Sequence, residues 1–467
     1  MAQKPSRRKS PPKPAAKHSP AGMMVSISGI RGIAGDGFTA DSIMPFVRAF
    51  AELCGGQRIV VGHDARPSSR WVVPFVESVL RSLGIDVVAV GLAPTPTIGL
   101  LVRKLKAAGG IAVTASHNPI EYNGLKFFSS AGEFITQEML TKILAIIARP
   151  SRRTTSRIGK RAQLTTGPEI HLSALMNALP PLERVKLNKR PAVIIDCCNS
   201  AGAEIAPHVA DAYGAVFQLM HSDVTKYEFP RGPEPTEKNI AGLRRAVVRE
   251  GADIGFALDP DADRLAIVDE FGHAIGEERT LLLAADAFLT ITKKKSPLVV
   301  NLSSSRAMDD LAKAHGVHLF RTAIGEANVL AGMRKHKARI GGEGNGGVIV
   351  PAVQPGRDAA TGIALILMGL QSRGGTLSQW NARFPSYAMV KESAPVGKIS
   401  VAIAMKKFKA AFKKAKFDST DGLKATLGDR WVHLRPSNTE PVMRIFAEAP
   451  TEAEAQELAA TAVALFQ

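Results

Sequence analysis

The sequence predicts an α/β protein: three mixed α/β domains of related topology, followed by a smaller α+β C-terminal domain. Three observations predict it. A chain of 467 residues with 45% hydrophobic content is too long for one core, and at about 150 residues per domain it divides into roughly three or four units. Three stretches share one pattern: a short apolar strand, a polar turn, a helix ending near a glycine, and a second apolar run. A βαβ unit with a buried parallel sheet requires that pattern. Beyond residue 385 the texture changes.

Taken in order, residues 1–22 hold six basic side chains (Lys4, Arg7, Arg8, Lys9, Lys13 and Lys17), several prolines and no acid. They lack the apolar run of a signal peptide and the periodicity of a helix, and are expected to be a disordered basic tail. The first α/β domain, 23–165, contains the strand starting at Arg58-Ile-Val-Val-Gly-His-Asp64, a helical stretch to Gly84, and the returning strand Asp86-Val-Val-Ala-Val90. The basic, Thr-rich stretch from Ser151 to Thr166 reads as a connection. The second domain, 166–273, repeats the pattern from Ala192-Val-Ile-Ile-Asp-Cys-Cys-Asn-Ser200 to Gly214, and the third, 274–385, from Leu298-Val-Val-Asn-Leu-Ser-Ser-Ser305 to Gly316. Identity among the three is too low to establish duplication. In 386–467 we expect a lysine-rich helix near 404–416, strands at Trp431–Leu434 and Met443–Phe446, and an alanine-rich helix from Glu452 to Phe466.

Composition narrows the classes of function. No run of residues approaches the length of a membrane span, so no membrane partner is expected. Three cysteines, two of them adjacent at 197 and 198, give no disulfide framework and fit a reducing cytoplasm. The net charge of +18 raises polyanion binding as a rival reading. Removing the tail's six charges leaves +12 on the rest, much of it in acid-free runs at 149–161, 293–295 and 406–416. In the last run Met405, Phe408 and Phe412 recur at helical spacing between lysines, the pattern of an amphipathic helix with a solvated basic face. The aromatic-basic interleaving of base stacking is lacking, so no specific nucleic acid is expected.

Four loops carry chemistry. Thr114-Ala-Ser-His-Asn-Pro119 sets a hydroxyl in a polar turn straight after the apolar run Gly110-Ile-Ala-Val113; such a serine is ordinarily a turn residue or helix cap, but it can also carry a phosphoryl group. Asp259-Pro-Asp-Ala-Asp-Arg264 alternates three carboxylates, a hard-oxygen set suited to a divalent cation. A calcium loop is a rival, with Glu270 at its twelfth position, but Arg264 stands where that loop needs glycine and Leu265–Val268 reads as a strand. Gly341-Gly-Glu-Gly-Asn-Gly-Gly347 is glycine-rich without the lysine of a nucleotide loop. Arg435-Pro-Ser-Asn-Thr-Glu-Pro441 gathers a guanidinium, two hydroxyls and an amide, which suits a phosphate.

In order and spacing these four loops resemble the α-D-phosphohexomutase family, the phosphoglucomutases, phosphomannomutases and phosphoglucosamine mutases, over almost the whole chain. The resemblance implies four domains around a central cleft, and a Ser116 that is phosphorylated in the active enzyme with His117 and Lys126 near its phosphoryl group. It implies Mg²⁺ held by Asp259, Asp261, Asp263 and the phosphorylated Ser116, with Arg264 as a fixed charge beside it. Glu343 and Asn345 are expected to meet sugar hydroxyls, and Arg435, Ser437, Asn438 and Thr439 the phosphate that is not transferred. Ser28-Gly-Ile-Arg-Gly32 resembles the family's N-terminal motif and brings Arg31 to the active site. Gly325-Glu-Ala-Asn328 and Gly356-Arg-Asp358 match positions near the sugar and phosphate loops. Gly62-His-Asp-Ala-Arg-Pro-Ser68 resembles a further motif with His63 in place of the usual arginine, and His63 is given no role. Asn345 and Gly347 replace the serine and histidine of many relatives, so no part played by that histidine transfers. The implied activity is interconversion of hexose 6-phosphate and hexose 1-phosphate through a hexose 1,6-bisphosphate, with glucosamine phosphate favoured over glucose and mannose phosphates. The general acid and base stay open among Lys126, Arg31 and His117. A magnesium-dependent phosphatase and a polyanion-binding protein are the alternatives, and a monomer or homodimer is expected.

Overall fold

The computed structural model describes residues 22–55, 58–149, 155–180, 190–395, 400–437 and 442–466; the expected basic tail, apart from Gly22, lies outside them. One four-strand motif occurs three times. In the first domain Asp86–Leu92, Arg58–His63 and Gly109–Val113 run parallel, and Tyr122–Ser129 then pairs antiparallel with the last. In the second the same places are taken by Val216–Met220, Ala192–Asp196, Ile254–Leu258 and Leu265–Asp269. In the third they are taken by Leu319–Thr322, Leu298–Asn301, Ile340–Glu343 and Gly347–Ile349. The kinship that sequence identity could not establish is thus one of topology. The first sheet adds Met23–Ser26, Gly29–Ala34, Gly37–Phe38 and, at its far edge, Arg161–Gln163. That last strand corrects the reading of 151–166 as mere connection: three residues of it pair with Asp86–Leu92. All three side chains are exposed, so they carry no apolar pattern.

The strands Gly109–Val113 and Ile254–Leu258 are buried at every residue, which is why they read as continuous apolar runs. Helix Ala359–Arg373 is buried all round from Ala359 to Gln371 and packs against Glu277–Thr292 and Ala206–Ala212. Through it one core runs across the second and third domains, from Phe256 to Leu281 and Ile363. Side-chain ties fix the first domain to this block: Gln354 Nε2 donates to Gly132 O at 2.8 Å, and fully buried His171 sits between Thr97 and Asp358, at 2.8 and 3.0 Å. Among the described residues no helix is long and apolar enough to cross a membrane.

The C-terminal domain is a five-stranded antiparallel sheet, Ala388–Pro395, Val442–Ala449, Arg430–Pro436, Leu423–Leu427 and Lys416–Asp418, covered by helices Val401–Ala411 and Glu452–Val463. Phe408 is buried and Met405 packs on the same core, as the helical spacing predicts. The lysine-rich helix is shorter than expected. It ends where Phe412 leaves helical geometry at φ −109° and ψ 45°, and Lys416–Asp418 pairs instead with Leu423–Leu427 as an edge strand. Exposed charge at 416 and 418 around half-buried Phe417 suits a strand edge that must not recruit another. The last helix gives way to a 3₁₀ turn over Ala464–Phe466.

His433 docks this domain on the third. It is fully buried; Nε2 lies 2.5 Å from Asp421 O and Nδ1 2.7 Å from Ser303 Oγ. A carbonyl only accepts, so Nε2 carries the proton and Nδ1 takes one from Ser303. Burial pushes His433 down to about 4 from its usual 6.5. A folded pKa depressed in this way contributes stability above pH 6.5 that is lost as pH falls towards 4, roughly 3 kcal/mol in all. Thermal unfolding of the intact chain is therefore predicted to weaken over that window more steeply than in His433→Gln, and equal slopes in the two proteins would count against this docking contact.

Candidate active site

The three motifs place their functional loops alike. Each loop joins the third parallel strand to its antiparallel neighbour: 114–121 after Gly109–Val113, 259–264 after Ile254–Leu258, and 344–346 after Ile340–Glu343. These are the carboxyl ends of parallel strands, where α/β sheets leave room for ligands, and side chains from the three domains meet there.

Ser116 is 4% exposed and holds a left-handed backbone, φ 51°, a conformation costly for any residue with a Cβ. Local bonds impose it. Thr114 Oγ1 accepts the Ser116 amide at 2.8 Å and donates to Asp64 Oδ2 at 2.6 Å. Arg66, fully buried, donates to Ser116 O at 2.6 Å, Asn118 O at 2.7 Å, Pro119 O at 2.5 Å and Tyr122 O at 2.8 Å, with Nε on Asp64 at 3.0 Å. One guanidinium thus gathers four carbonyls of the loop. Ser116 Oγ donates to Asp259 Oδ2 of the second domain at 3.0 Å, and His117 Nδ1 lies 3.3 Å from the same hydroxyl. Arg31, on the strand paired with Tyr122–Ser129, reaches Asn118 Oδ1 at 3.0 Å.

Asp259, Asp261 and Asp263 are buried, each offering an oxygen within 4.8 Å of the others. Burial and the two neighbouring carboxylates hold Asp259 well above the usual carboxylate range. Burial also opposes the charge on Asp263, but Arg357, Lys126 and Arg264 outweigh it and hold its pKa low. Lys126 Nζ lies 2.6 Å from Asp261 Oδ2 and 3.3 Å from Asp263 Oδ2, and Arg357 Nη2 lies 2.7 Å from Asp263 Oδ2. Thr95 Oγ1 donates to Asp261 at 2.5 Å. Asp261 Oδ1 and Asp263 Oδ1 are buried with no hydrogen-bond partner. Two orphaned hard oxygens beside a third carboxylate are what a divalent cation would satisfy, so the donor set fits one. Arg264 stands 3.9 Å from Asp263 and is held by Glu234 at 2.8 Å. Glu270 turns to Ser378, away from any calcium loop.

Glu343 ends its strand 4% exposed, accepting Asn301 Nδ2 at 3.1 Å and the Gly325 amide at 2.9 Å. Arg357, in contact with Asp263, also reaches Glu343 at 3.4 Å and Glu326 at 3.2 Å, so one cation joins the aspartate loop to the Glu343 loop. Burial pushes Glu326 up to about 7 despite that arginine. A Cβ on Gly347 would stand 2.3 Å from Arg357 Cδ; the arginine stem fills the space a histidine would need there. Gly346, at φ 83°, lets Leu265 O approach to 2.5 Å of where a Cβ would be, and its carbonyl accepts the Leu265 amide at 3.1 Å. Asn345 Oδ1 is buried without a partner. Arg435 Nε pairs with Asp421 Oδ2 at 3.2 Å, and the same oxygen accepts the Ile324 amide of the third domain at 3.0 Å. The Ser437 amide closes its turn on Val442 O at 2.9 Å; Asn438 and Thr439 lie outside the described residues.

Models of the family described as phosphoglucomutase/phosphomannomutase match in four consecutive pieces: α/β/α domain I over residues 23–154, II over 171–272, III over 276–387, and the C-terminal domain over 397–465. The chain belongs to the α-D-phosphohexomutase superfamily. It is an enzyme of that class, an isomerase. A Thermococcus kodakarensis protein named phosphoglucomutase/phosphomannomutase is 35% identical over 93% of this chain and 96% of its own. A Thermococcus gammatolerans protein named "Probable phosphoglucosamine mutase" is 33% identical over 94% and 96%. The crystal structure of a phosphoglucomutase/phosphomannomutase family protein from Burkholderia thailandensis superposes with a TM-score of 0.79 at 25% identity, covering 93% of this chain and 96% of that one.

Asp64 and Arg66 give little sign of themselves in the sequence. Both lie within the 62–68 motif, where the unusual residue is His63. Asp421, whose signal is a single acid before Gly422, is equally inconspicuous. Arg66→Lys, which cannot serve four carbonyls and a carboxylate together, is predicted to lower turnover by roughly one to two orders of magnitude with the far-ultraviolet circular dichroism unchanged. Unaltered turnover would show that the Ser116 loop keeps its form without the guanidinium.

Proposed function

We propose that the enzyme interconverts glucosamine 6-phosphate and glucosamine 1-phosphate through a phosphoserine at Ser116 and a 1,6-bisphosphate intermediate. The observation that carries the reaction type is Ser116 Oγ itself, held in a strained turn at hydrogen-bond distance from the buried aspartate cluster of the next domain. Phospho-Ser116 gives its phosphoryl group to the free hydroxyl of the hexose phosphate. The P–O bond to Ser116 breaks as the bond to the sugar oxygen forms, and the hydroxyl proton passes to the enzyme. The bisphosphate turns around, and the second transfer returns a phosphoryl group to Ser116. Asp259, Asp261 and Asp263 would hold Mg²⁺, which supplies charge to the transferring phosphoryl group when bound. Lys126, Arg31 and Arg264 bring fixed positive charge to the same place, so catalysis is chiefly electrostatic and positional. His117 Nδ1, 3.3 Å from Ser116 Oγ, is placed to exchange a proton with it. Arg435 and Ser437, with Asn438 and Thr439, would grip the phosphate that stays.

Two things favour the amino sugar. Several relatives carry the name "Probable phosphoglucosamine mutase", and Glu343 at the end of its strand is an acceptor that suits a C2 ammonium. The Thermococcus kodakarensis relative favours a second reading, a hexomutase that also takes glucose and mannose phosphates. Cys197 and Cys198 are buried free thiols, which suits a cytoplasmic setting.

The assay compares glucosamine, glucose and mannose 6-phosphates with Mg²⁺ and a trace of glucose 1,6-bisphosphate. Glucosamine phosphate is predicted to turn over selectively, with activity lost on chelation and restored by Mg²⁺, and Ser116→Ala slower by roughly a thousandfold or more. Comparable rates on all three sugars would favour the second reading, and stoichiometric release of inorganic phosphate would replace both with a phosphatase.

A further inference from the structure

A cavity of about 630 Å³ opens between the third and fourth domains, and no residue of the Ser116, aspartate, Glu343 or Arg435 loops lines it. Arg306 and Arg321 of the third domain and Lys416 and Lys424 of the fourth supply four basic side chains to its walls, against two carboxylates, Asp309 and Asp418. Arg321 pairs with Asp309 at 2.7 Å and is pinned to Ser304 O at 2.6 Å. Lys424 is 5% exposed; its ammonium touches Leu302 O at 2.8 Å and lies 3.7 Å over the Trp431 ring, and it pairs with no carboxylate among the described residues. Arg306 is bonded through Nη1 to Gly428 O at 2.8 Å, and its Nε is buried without a hydrogen-bond partner. Asp418 is taken up with the Thr420 amide at 2.8 Å.

Burial together with the charge of Arg321 presses Lys424 well below the usual ammonium range, so an anion beside it would favour its charged form; the nearby carboxylate of Glu448 is taken up by the Arg306 amide at 2.8 Å and Trp431 Nε1 at 2.6 Å. Arg306 and exposed Lys416 form no ion pair among the described residues, so the crevice presents unpaired positive charge on both walls. Its volume lies within the range of small-molecule sites and is far larger than one phosphate ion needs. Both walls are polar and cationic, with the edge of Trp431 and half-buried Phe417 as apolar surface.

We propose that this crevice is a second anion site, binding a phosphate-bearing small molecule that bridges the third and fourth domains. The phosphate would meet Lys424 and Lys416 on one wall and Arg306 on the other. Lys424 is opposite His433 in register, two residues before Arg435 on the next strand, so an occupant bears directly on the strand that carries the phosphate grip.

The test is calorimetric titration of the full-length protein with inorganic pyrophosphate. Arg435→Gln, made to remove binding in the catalytic cleft, is expected to keep one pyrophosphate site. In that background Lys424→Met should weaken it at least tenfold and Lys416→Gln severalfold. Lys416 is exposed and outside the catalytic machinery, so Lys416→Gln alone should leave hexose phosphate turnover unchanged, and it decides the matter if Lys424→Met melts early. Displacement of pyrophosphate by ADP or by glucose 6-phosphate would tell a nucleotide from a sugar phosphate as the occupant. Loss of all binding in Arg435→Gln, or titrations of Lys424→Met and Lys416→Gln that match their parent, would overturn the proposal.

Discussion

Lys126 of the first domain reaches two carboxylates of the second, 2.6 Å from Asp261 and 3.3 Å from Asp263, and most of the architecture answers to that contact. Three carboxylates within 4.8 Å of one another repel by roughly 4 kcal/mol per pair at the effective dielectric of a protein. The second domain cannot hold them alone. Lys126 comes from the first domain and Arg357 from the third, while Arg264 stands in the same loop. The domains are thus tied through the charges that the chemistry needs, and Ser116 is brought to Asp259 as a consequence.

Repetition of the fold makes this convergence possible. A four-strand motif used three times puts an equivalent hairpin loop at the carboxyl end of the parallel strands in three sheets. The three hairpins carry different chemistry, the first a hydroxyl, the second an acid cluster, the third a carboxylate beside glycines. The fourth domain lies outside the repetition and attaches through polar contacts, buried for His433 to Ser303 and half-buried for Asp421 to the Ile324 amide. Asp421 is the clearest case, sharing one carboxylate oxygen between the Ile324 amide and Arg435.

Much of this was legible in the residues. Apolar strands followed by helices ending near Gly84, Gly214 and Gly316 disclosed three βαβ units, since a parallel sheet buried on both faces leaves an unbroken apolar run. The alternation of Asp259, Asp261 and Asp263 pointed to a carboxylate cluster suited to a divalent cation, and the fold gathers the three within 4.8 Å of one another. What stayed hidden depends on contacts between distant segments. Arg66 looks like any arginine in a turn until its guanidinium is seen among four carbonyls some fifty residues away. The edge strand Arg161–Gln163 has no apolar side chain facing a core, and Lys416–Asp418 was hidden by the helix-forming lysines before it. Glycine at 347 read as a missing histidine, whereas the fold shows the place filled by the stem of Arg357.

The phosphoserine at the junction of the first two domains is tested most directly by peptide mass spectrometry of the protein after incubation with glucose 1,6-bisphosphate and Mg²⁺, followed by a chase with hexose phosphate. One phosphoryl group on the Ser116 peptide, discharged to the sugar during the chase, is the predicted result. A phosphoryl group on another residue, or none at Ser116 in a protein that still turns over, would contradict the account.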